Sequence, residues 1–217
     1  MTEYDKRFKN LNPPLMKPPF LGVINGSVRT GKSNLLMNLI YNNSFYKGMF
    51  DKIIYISPTV HNDATLKHLK EDEDVMKISD DLDELDMILH KIVELKDKDE
   101  DEHGLYYLII LDDCLGYIKP KSYVSYLCSR YRHYRLSLIF TSQNFRSIPN
   151  IIRTNASFYI LFKTTNRKEY KKYIEEFGGL FKKFDEIYDE ATEQPYNFLY
   201  IDLRNLHALH NFDKKLS

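Results

Sequence analysis

The chain has 217 residues, of which 43% are hydrophobic, and its 31 basic residues balance its 31 acidic residues. This composition excludes general disorder and suits one domain with a sizeable core. No apolar run approaches the ~18 residues that span a bilayer, and the N-terminus shows no apolar signal segment, so we expect a soluble intracellular protein with no membrane span. Cys114 and Cys128 are too few for a disulfide framework, and we expect them as reduced thiols in or near the core.

The zero net charge conceals two charged segments. Residues 71–102 carry 15 acidic residues against 4 basic ones, whereas residues 119–172 carry 12 basic residues against one glutamate. Both segments suit ordinary solvated faces, and the basic one also suits a surface that attracts a polyanion.

The first half of the chain predicts strands that alternate with helices. Residues 1–19 are polar and rich in proline, and we interpret them as an N-terminal arm before a single domain over residues 20–217. The elements predicted next are a strand in FLGVIN, a helix over 32–42, a strand in DKIIYISP, a helix over 61–70, a strand in DVMKIS and a helix in DLDELDMILHKIVELK.

The second half continues the alternation. Its predicted elements are a strand in LYYLIILDD, a helix over 120–133, strands in LSLIFTSQ and ASFYILFK, two helices over 167–190 broken at Gly178–Gly179, and a strand in PYNFLYIDL. Continuous apolar strands indicate burial on both faces, as in a parallel sheet. The fold class predicted is therefore a layered α/β domain with a mainly parallel sheet.

The segment GSVRTGKS at residues 26–33 matches the phosphate-binding pattern GxxxxGK[ST], with a predicted strand before it and a helix after it. Glycine lets backbone N–H groups turn towards phosphate oxygens, and the helix N-terminus adds partial positive charge. Lys32 would reach the β- and γ-phosphates, and Ser33 would offer a hydroxyl to Mg²⁺. The predicted nucleotide-binding residues are Gly26, Ser27, Val28, Arg29, Thr30, Gly31, Lys32 and Ser33.

Two aspartates end the strand LIILDD, at the sheet edge where ligands bind in α/β proteins. Asp112 is predicted as a metal partner that binds Mg²⁺ either directly or through one of its water ligands. Asp113 is predicted to orient or deprotonate the attacking water. Gln143, which ends the strand IFTSQ, is expected either to sense the γ-phosphate and the water or to cap a turn. Thr141 and Ser142 of the same strand are weaker candidates for this sensing role.

The spacing of the motifs bears on the class of enzyme. The interval between Lys32 and Asp112 holds the predicted strand IIYIS, so a strand can lie between the two motif-bearing strands. This arrangement favours an ATPase in which a second acid activates water over a simple nucleotide kinase. The chain also lacks an arginine-rich lid like those of nucleoside monophosphate kinases.

Together, GSVRTGKS, LIILDD and IFTSQ resemble the poxvirus-type genome-packaging ATPases of large DNA viruses, within the FtsK/HerA superfamily, over roughly residues 18–165. The resemblance implies a P-loop NTPase with a RecA-like three-layer αβα core that uses ATP and Mg²⁺. It further implies a homo-oligomeric ring that drives double-stranded DNA into a capsid, with a capsid or portal partner. The implied location is the virus factory in the host-cell cytoplasm, or the virion.

The resemblance also assigns roles to individual residues. Lys32 and Ser33 would be the Walker A pair, and Asp112 the Walker B acid. Asp113 stands where many superfamily members have glutamate, and its shorter side chain weakens the water-activating assignment. Gln143 would be the polar sensor.

Ring motors usually complete each site with an arginine from the neighbouring subunit. The candidates are Arg130, Arg132 and Arg135, just before the Gln143 strand, and Arg153 after it. We prefer Arg132, with Arg153 as the alternative. Two other functions stay open: a P-loop kinase of a small acceptor, and a nucleotide-gated scaffold or loader with little hydrolysis.

Overall fold

A computed structural model describes residues 8, 11–58, 66, 69, 71–72, 75–78, 82–97, 105–115, 118 and 121–217. The predicted helix over 61–70 lies almost wholly outside these residues, as does the segment 98–104. None of the helices in this described part is long and apolar enough to cross a membrane.

The described strands form one nine-stranded sheet in the order β3-β2-β4-β5-β1-β6-β7-β8-β9. Strands β1 to β6 pair in parallel, and β7, β8 and β9 extend the sheet beyond β6, each paired antiparallel to the strand before it. Their bounds are Leu21–Asn25, Lys52–Ile56, Val75–Ile78, Tyr107–Leu111, Leu136–Ser142, Phe158–Phe162, Phe198–Asp202, His207–His210 and Lys214–Lys215. The mainly parallel sheet is confirmed, and β8 and β9 are additions to the prediction.

A strand does lie between the P-loop strand and the LIILDD strand, but it is a different strand from the one expected. β5 pairs with both β1 and β4, whereas the IIYIS strand, β2, lies on the outer side of β4. The crossover connections decide the order of the sheet, and the order along the chain does not reveal them.

Helices cover both faces of the sheet. Their bounds, numbered α1 to α6 within the described residues, are Lys32–Tyr41, Leu82–Asp97, Tyr123–Arg130, Asn150–Asn155, Arg167–Phe177 and Phe184–Ala191. The predicted break between the last two helices is confirmed. The helix predicted over 120–133 is shorter, because residues 131–135 form a turn that enters β5, and α4 was not predicted.

Alternate residues of the parallel strands point into two separate cores. In β1, Leu21 and Val23 belong to the core that α2 to α6 cover, whereas Ile24 belongs to the core that α1 covers. This two-sided burial explains the continuous apolar runs in the sequence. The result is the predicted three-layer αβα architecture.

Part of the N-terminal segment packs on the α1 face of the sheet. Leu11, Leu15 and Met16 are buried in that core. The Tyr46 hydroxyl donates to the Met16 carbonyl at 2.9 Å, and the Tyr200 hydroxyl donates to the Pro14 carbonyl at 3.1 Å. The boundary between an arm at 1–19 and a domain at 20–217 stays a prediction.

Candidate nucleotide-binding site

Most of the predicted site residues, but neither candidate arginine finger, meet in one cavity at the carboxyl ends of β1, β4 and β5. The cavity has a volume of about 510 Å³, and its lining includes Lys32, Asp112, Asp113, Gln143 and Tyr196. Parallel strands bring their carboxyl ends to one edge of the sheet, so the segments that follow β1, β4 and β5 converge there. Four of these five residues were predicted from sequence, and Tyr196 was not.

The loop after β1 has the close backbone packing that a phosphate cradle requires. Gly31 has a φ of +104° and is the N-cap of α1, a conformation that glycine adopts without steric cost. A Cβ on Gly26 would lie 2.7 Å from both Phe162 Cβ and Thr30 Oγ1, so only glycine fits without a shift of the backbone. The Gly26 N–H donates to the Ser142 carbonyl at 3.0 Å, which ties the loop to β5.

Lys32 folds back over the loop that precedes it. Its Nζ donates to the Gly26 carbonyl at 2.7 Å and to the Ser27 carbonyl at 3.0 Å. Burial lowers the pKa of the Lys32 ammonium, and the carboxylates of Asp113 and Asp112 partly offset this effect. A cation that is partly stripped of water gains more from a phosphate than an exposed one would.

Asp112 is a buried carboxylate whose two oxygens are both hydrogen-bonded. It is only 7% exposed. The Tyr55 hydroxyl donates to Oδ2 at 2.6 Å, and the Thr141 hydroxyl donates to Oδ1. Burial raises the pKa of Asp112, and the bonds from Thr141 and Tyr55 oppose that rise. The two hydroxyls hold the carboxylate in one orientation at the edge of the cavity.

Thr141 also fixes the second aspartate. Its Oγ1 accepts the Asp113 backbone N–H at 2.9 Å, and Asp113 has a φ of +56°, which turns its side chain away from the line of β4. The Gln143 amide donates from Nε2 to Asp113 Oδ2. Asp113 and Gln143 therefore form a pair at the mouth of the cavity, where both face solvent.

Comparison with known proteins assigns the chain to a family. The family model described as "Poxvirus A32 protein" matches residues 5–174. The chain belongs to the poxvirus A32 protein family. This membership confirms the resemblance drawn from the three motifs.

Other similarities of the A32-family chain are more distant. "Uncharacterized protein 075L" of Invertebrate iridescent virus 6 is 26% identical over 187 residues, covering 83% of this chain and 69% of that protein. The genome packaging NTPase B204 of Sulfolobus turreted icosahedral virus 2, solved with ATP-gammaS, has a TM-score of 0.61 at 18% identity, covering 89% of this chain and 96% of that one.

The DNA-packaging ATPase B204 of Sulfolobus turreted icosahedral virus has a TM-score of 0.64 at 18% identity, covering 89% of this chain and 97% of that one. At these identities, the similarity to solved structures establishes a shared fold. The RecA-like P-loop NTPase fold of the A32-family chain is therefore confirmed.

Helix α5 is hydrogen-bonded to the chain next to both loops that carry the site. The Tyr173 hydroxyl donates to Asn25 Oδ1, directly before the P-loop. The buried carboxylate of Glu169 accepts the backbone N–H of Phe145 at 2.7 Å, just after Gln143. One helix thus anchors the start of the P-loop and the loop that follows β5.

The candidate trans arginine lies at the amino ends of the parallel strands, on the side of the sheet opposite the cavity. Arg132 is exposed in the turn before β5, and its Nε donates to the Tyr131 hydroxyl at 3.0 Å. β5 has seven residues between this turn and the cavity. At about 3.3 Å per residue the separation is roughly 20 Å, so Arg132 cannot reach the cavity of its own chain.

The alternative arginine is engaged within its own chain. Arg153 NH1 forms an ion pair with Glu176 Oε2 at 2.9 Å, and the Arg153 side chain is 23% exposed. Its Nε is buried without a hydrogen-bond partner among the described residues. These contacts give Arg153 a role in joining α4 to α5. Arg130 stacks on the Tyr126 ring, with Cζ 4.3 Å from the ring centroid.

Sequence reasoning missed two residues of the site and underrated a third. The role of Tyr55 cannot be recognised from the sequence, because its hydroxyl is brought to Asp112 by the pairing of β2 with β4. Thr141 was considered a weak sensor candidate, whereas the structure makes it the partner of both aspartates. Tyr196 lies in the segment QPYN, whose proline marks a turn without revealing where that turn lies.

Proposed function

We propose that this protein is an ATP-hydrolysing motor that packages double-stranded viral DNA into a capsid. The observation that carries the proposal is the single cavity that joins the GxxxxGK[ST] loop to Asp112, Asp113 and Gln143 in a chain of the poxvirus A32 family. The B204 proteins, which share the fold, are described as packaging enzymes, and one of them was solved with an ATP analogue.

The cavity suits a nucleoside triphosphate and a magnesium ion. Backbone N–H groups of the P-loop would hold the phosphates, while Lys32 would exchange its two carbonyl acceptors for phosphate oxygens. The hydroxyl of Ser33 and the carboxylate of Asp112 are the oxygen ligands that Mg²⁺ prefers. Bound Mg²⁺ would supply charge that offsets the charge on the β- and γ-phosphates.

We assign the activation of the attacking water to the exposed side chains of Asp113 and Gln143. Asp113 and Gln143 are hydrogen-bonded to each other at the mouth of the cavity, beside Lys32. The Gln143 amide would orient the attacking water, and the Asp113 carboxylate would accept its proton. The bond from the Asp113 N–H to Thr141 would hold the acid in place during this step.

Arg132 would complete the site of a neighbouring subunit. Arg132 lies at the end of the strands opposite its own cavity, which supports a head-to-tail arrangement of subunits. Such an arrangement forms a closed ring when the rotation from one subunit to the next divides evenly into a full turn. An arginine supplied in trans raises phosphoryl-transfer rates by about 10³–10⁵ in related systems.

The remaining partners follow from the proposed motor. Basic residues between 119 and 172 would contact DNA phosphates without reading sequence, so binding would weaken as salt rises. A capsid or portal component would receive the DNA. The proposed location is the host-cell cytoplasm, in the virus factory, with retention in the virion as a second possibility.

The test is ATP turnover with and without long double-stranded DNA, beside the variant Lys32→Ala. We expect DNA to stimulate turnover and Lys32→Ala to abolish it. Turnover that needs an added nucleoside and ignores DNA would instead establish a kinase. Tight ATP binding without turnover, even in assembled rings with DNA, would establish a scaffold or loader.

The trans arrangement has its own test. Arg132→Ala should lose turnover while it keeps ATP binding, and Asp113→Asn should lose turnover as well. When the two variants are mixed, some interfaces combine an intact arginine with an intact acid, so activity should partly return. Mixed subunits that assemble but show no activity would exclude Arg132, and the same mixing with Arg153→Ala provides the comparison.

A further inference from the structure

Tyr196 adopts a backbone conformation that normally belongs to glycine. The Asn197 N–H donates to the Gln194 carbonyl at 3.2 Å and closes a four-residue turn. Pro195 occupies the second position, and Tyr196 occupies the third with a φ of +68°. These are the features of a type II turn, whose third position favours glycine or asparagine. A bulky residue at positive φ costs conformational energy, and such strain is common at functional sites.

The Tyr196 ring is exposed and lies against the P-loop. The residue is 70% exposed, although tyrosine rings usually bury their apolar body. A Cβ on Gly31 would lie 3.3 Å from Tyr196 Cδ1, so the ring lies beside the junction of the P-loop and α1. The ring also lines the cavity that contains Lys32 and Ser33.

The sheet places Tyr196 and the two aspartates on opposite sides of the P-loop. Asp112 and Asp113 follow β4, two strands from β1 on one side, and Tyr196 precedes β7, two strands from β1 on the other. Because β7 is antiparallel to β6, with Phe198 opposite Phe162, its start lies at the carboxyl edge of the parallel strands. Two strand spacings amount to roughly 10 Å on each side.

This layout sets the direction of a bound nucleotide. The γ-phosphate belongs beside Lys32, Asp113 and Gln143, where the hydrolytic groups meet. The rest of the molecule must then extend from the P-loop towards the side of the cavity that Tyr196 lines. A planar aromatic ring there offers a surface on which a nucleobase can stack.

We propose that Tyr196 is the stacking platform for the base of the bound nucleoside triphosphate. The proposal rests on the nucleotide binding proposed above, and it adds a base-binding subsite to the phosphate site. The turn holds the Tyr196 ring beside Gly31. The ring strains the turn, and in exchange it adds to the affinity for the nucleotide by stacking on the base. Because every base has a π-face, stacking favours nucleotides over bare phosphates without selecting one base.

The experiment compares binding of ATPγS with binding of inorganic tripolyphosphate, which has no base, by titration calorimetry with Mg²⁺. Tyr196→Gly and Tyr196→Asn remove the ring and suit the positive φ of the turn, while Tyr196→Phe keeps the ring as the matched control. We expect the first two variants to weaken ATPγS binding by about 5- to 150-fold. Tyr196→Phe should stay within about twofold of the unmodified chain, a change of less than 0.5 kcal/mol.

Tripolyphosphate binding should be the same in all four proteins, and the midpoint of thermal unfolding should not fall in Tyr196→Gly. Equal losses for both ligands would show that Tyr196 shapes the P-loop and would overturn the proposal. Unchanged ATPγS binding would overturn it as well. If the unmodified chain binds neither ligand, or binds both with the same affinity as Lys32→Ala, the proposed nucleotide binding is wrong. The base-binding subsite is then wrong with it.

Discussion

The hydroxyl of Thr141 is expected to hold both aspartates of the candidate site. Thr141 is fully buried, donates its proton to Asp112 Oδ1, and accepts the Asp113 N–H at 2.9 Å. In Thr141→Val a methyl group replaces the hydroxyl at nearly constant volume. The change leaves one oxygen of a buried carboxylate and one backbone N–H without these partners.

The magnitude follows from the two lost bonds. A hydrogen bond to a charged group contributes about 1.5–3 kcal/mol, and a neutral one contributes about 1 kcal/mol. The added methyl group returns about 0.8 kcal/mol through apolar burial. The net loss of about 2–3 kcal/mol is a large share of the 5–15 kcal/mol typical of a folded protein. It corresponds to a fall in Tm of roughly 4–12 °C for a chain of this size.

Thermal unfolding and steady-state ATP turnover test this expectation together. Thr141→Ser keeps the hydroxyl and is the matched control. We expect Thr141→Val to lower Tm and kcat while KM for ATP changes little, because the P-loop is untouched. If Thr141→Val matches Thr141→Ser in both Tm and kcat, the hydroxyl does not position the aspartates.

Three further predictions concern stability, thiol chemistry and the P-loop. Replacing Arg153 and Glu176 by alanine, singly and together, should reveal a coupling of about 1 kcal/mol in urea unfolding, and simple additivity would contradict the ion pair. Burial raises the pKa of the Cys128 thiol to about 12, so thiol reagents at pH 8 should modify it only after unfolding, and fast modification of the folded protein would contradict its burial. Gly26→Ala should weaken ATP binding about tenfold or more in calorimetry, because its Cβ would clash with Phe162, and unchanged affinity would show that the loop adapts.

The sequence was sufficient to predict the parts of the site that depend on local pattern. GSVRTGKS needs only its flanking strand and helix to be interpreted. Asp112, Asp113 and Gln143 were predictable because polar residues that end parallel strands meet at one edge. The burial of Cys114 and Cys128 and the break between α5 and α6 followed from composition and from glycine in the same way.

The remaining features depend on register and strand order, which no local pattern encodes. Thr141 meets Asp112 because Leu111 pairs with Phe140, which places the next residues of the two strands side by side. β5 lies between β1 and β4 because of its crossover. Tyr196 reaches the cavity because β7 reverses direction, and β8 and β9 are too short and polar to be recognised in isolation.

Helix α5 is hydrogen-bonded to the chain on both sides of the candidate site, at Asn25 through Tyr173 and at Phe145 through Glu169. If hydrolysis changed the gap between the P-loop and the Gln143 loop, α5 could not stay still relative to both, since one of the two bonds would stretch. The exposed side of this helix carries Arg167, Lys168 and Lys171. Under the proposed function, a displacement of α5 during hydrolysis would therefore move these positive charges on the surface, and this movement would couple chemical energy to mechanical work on a polyanion.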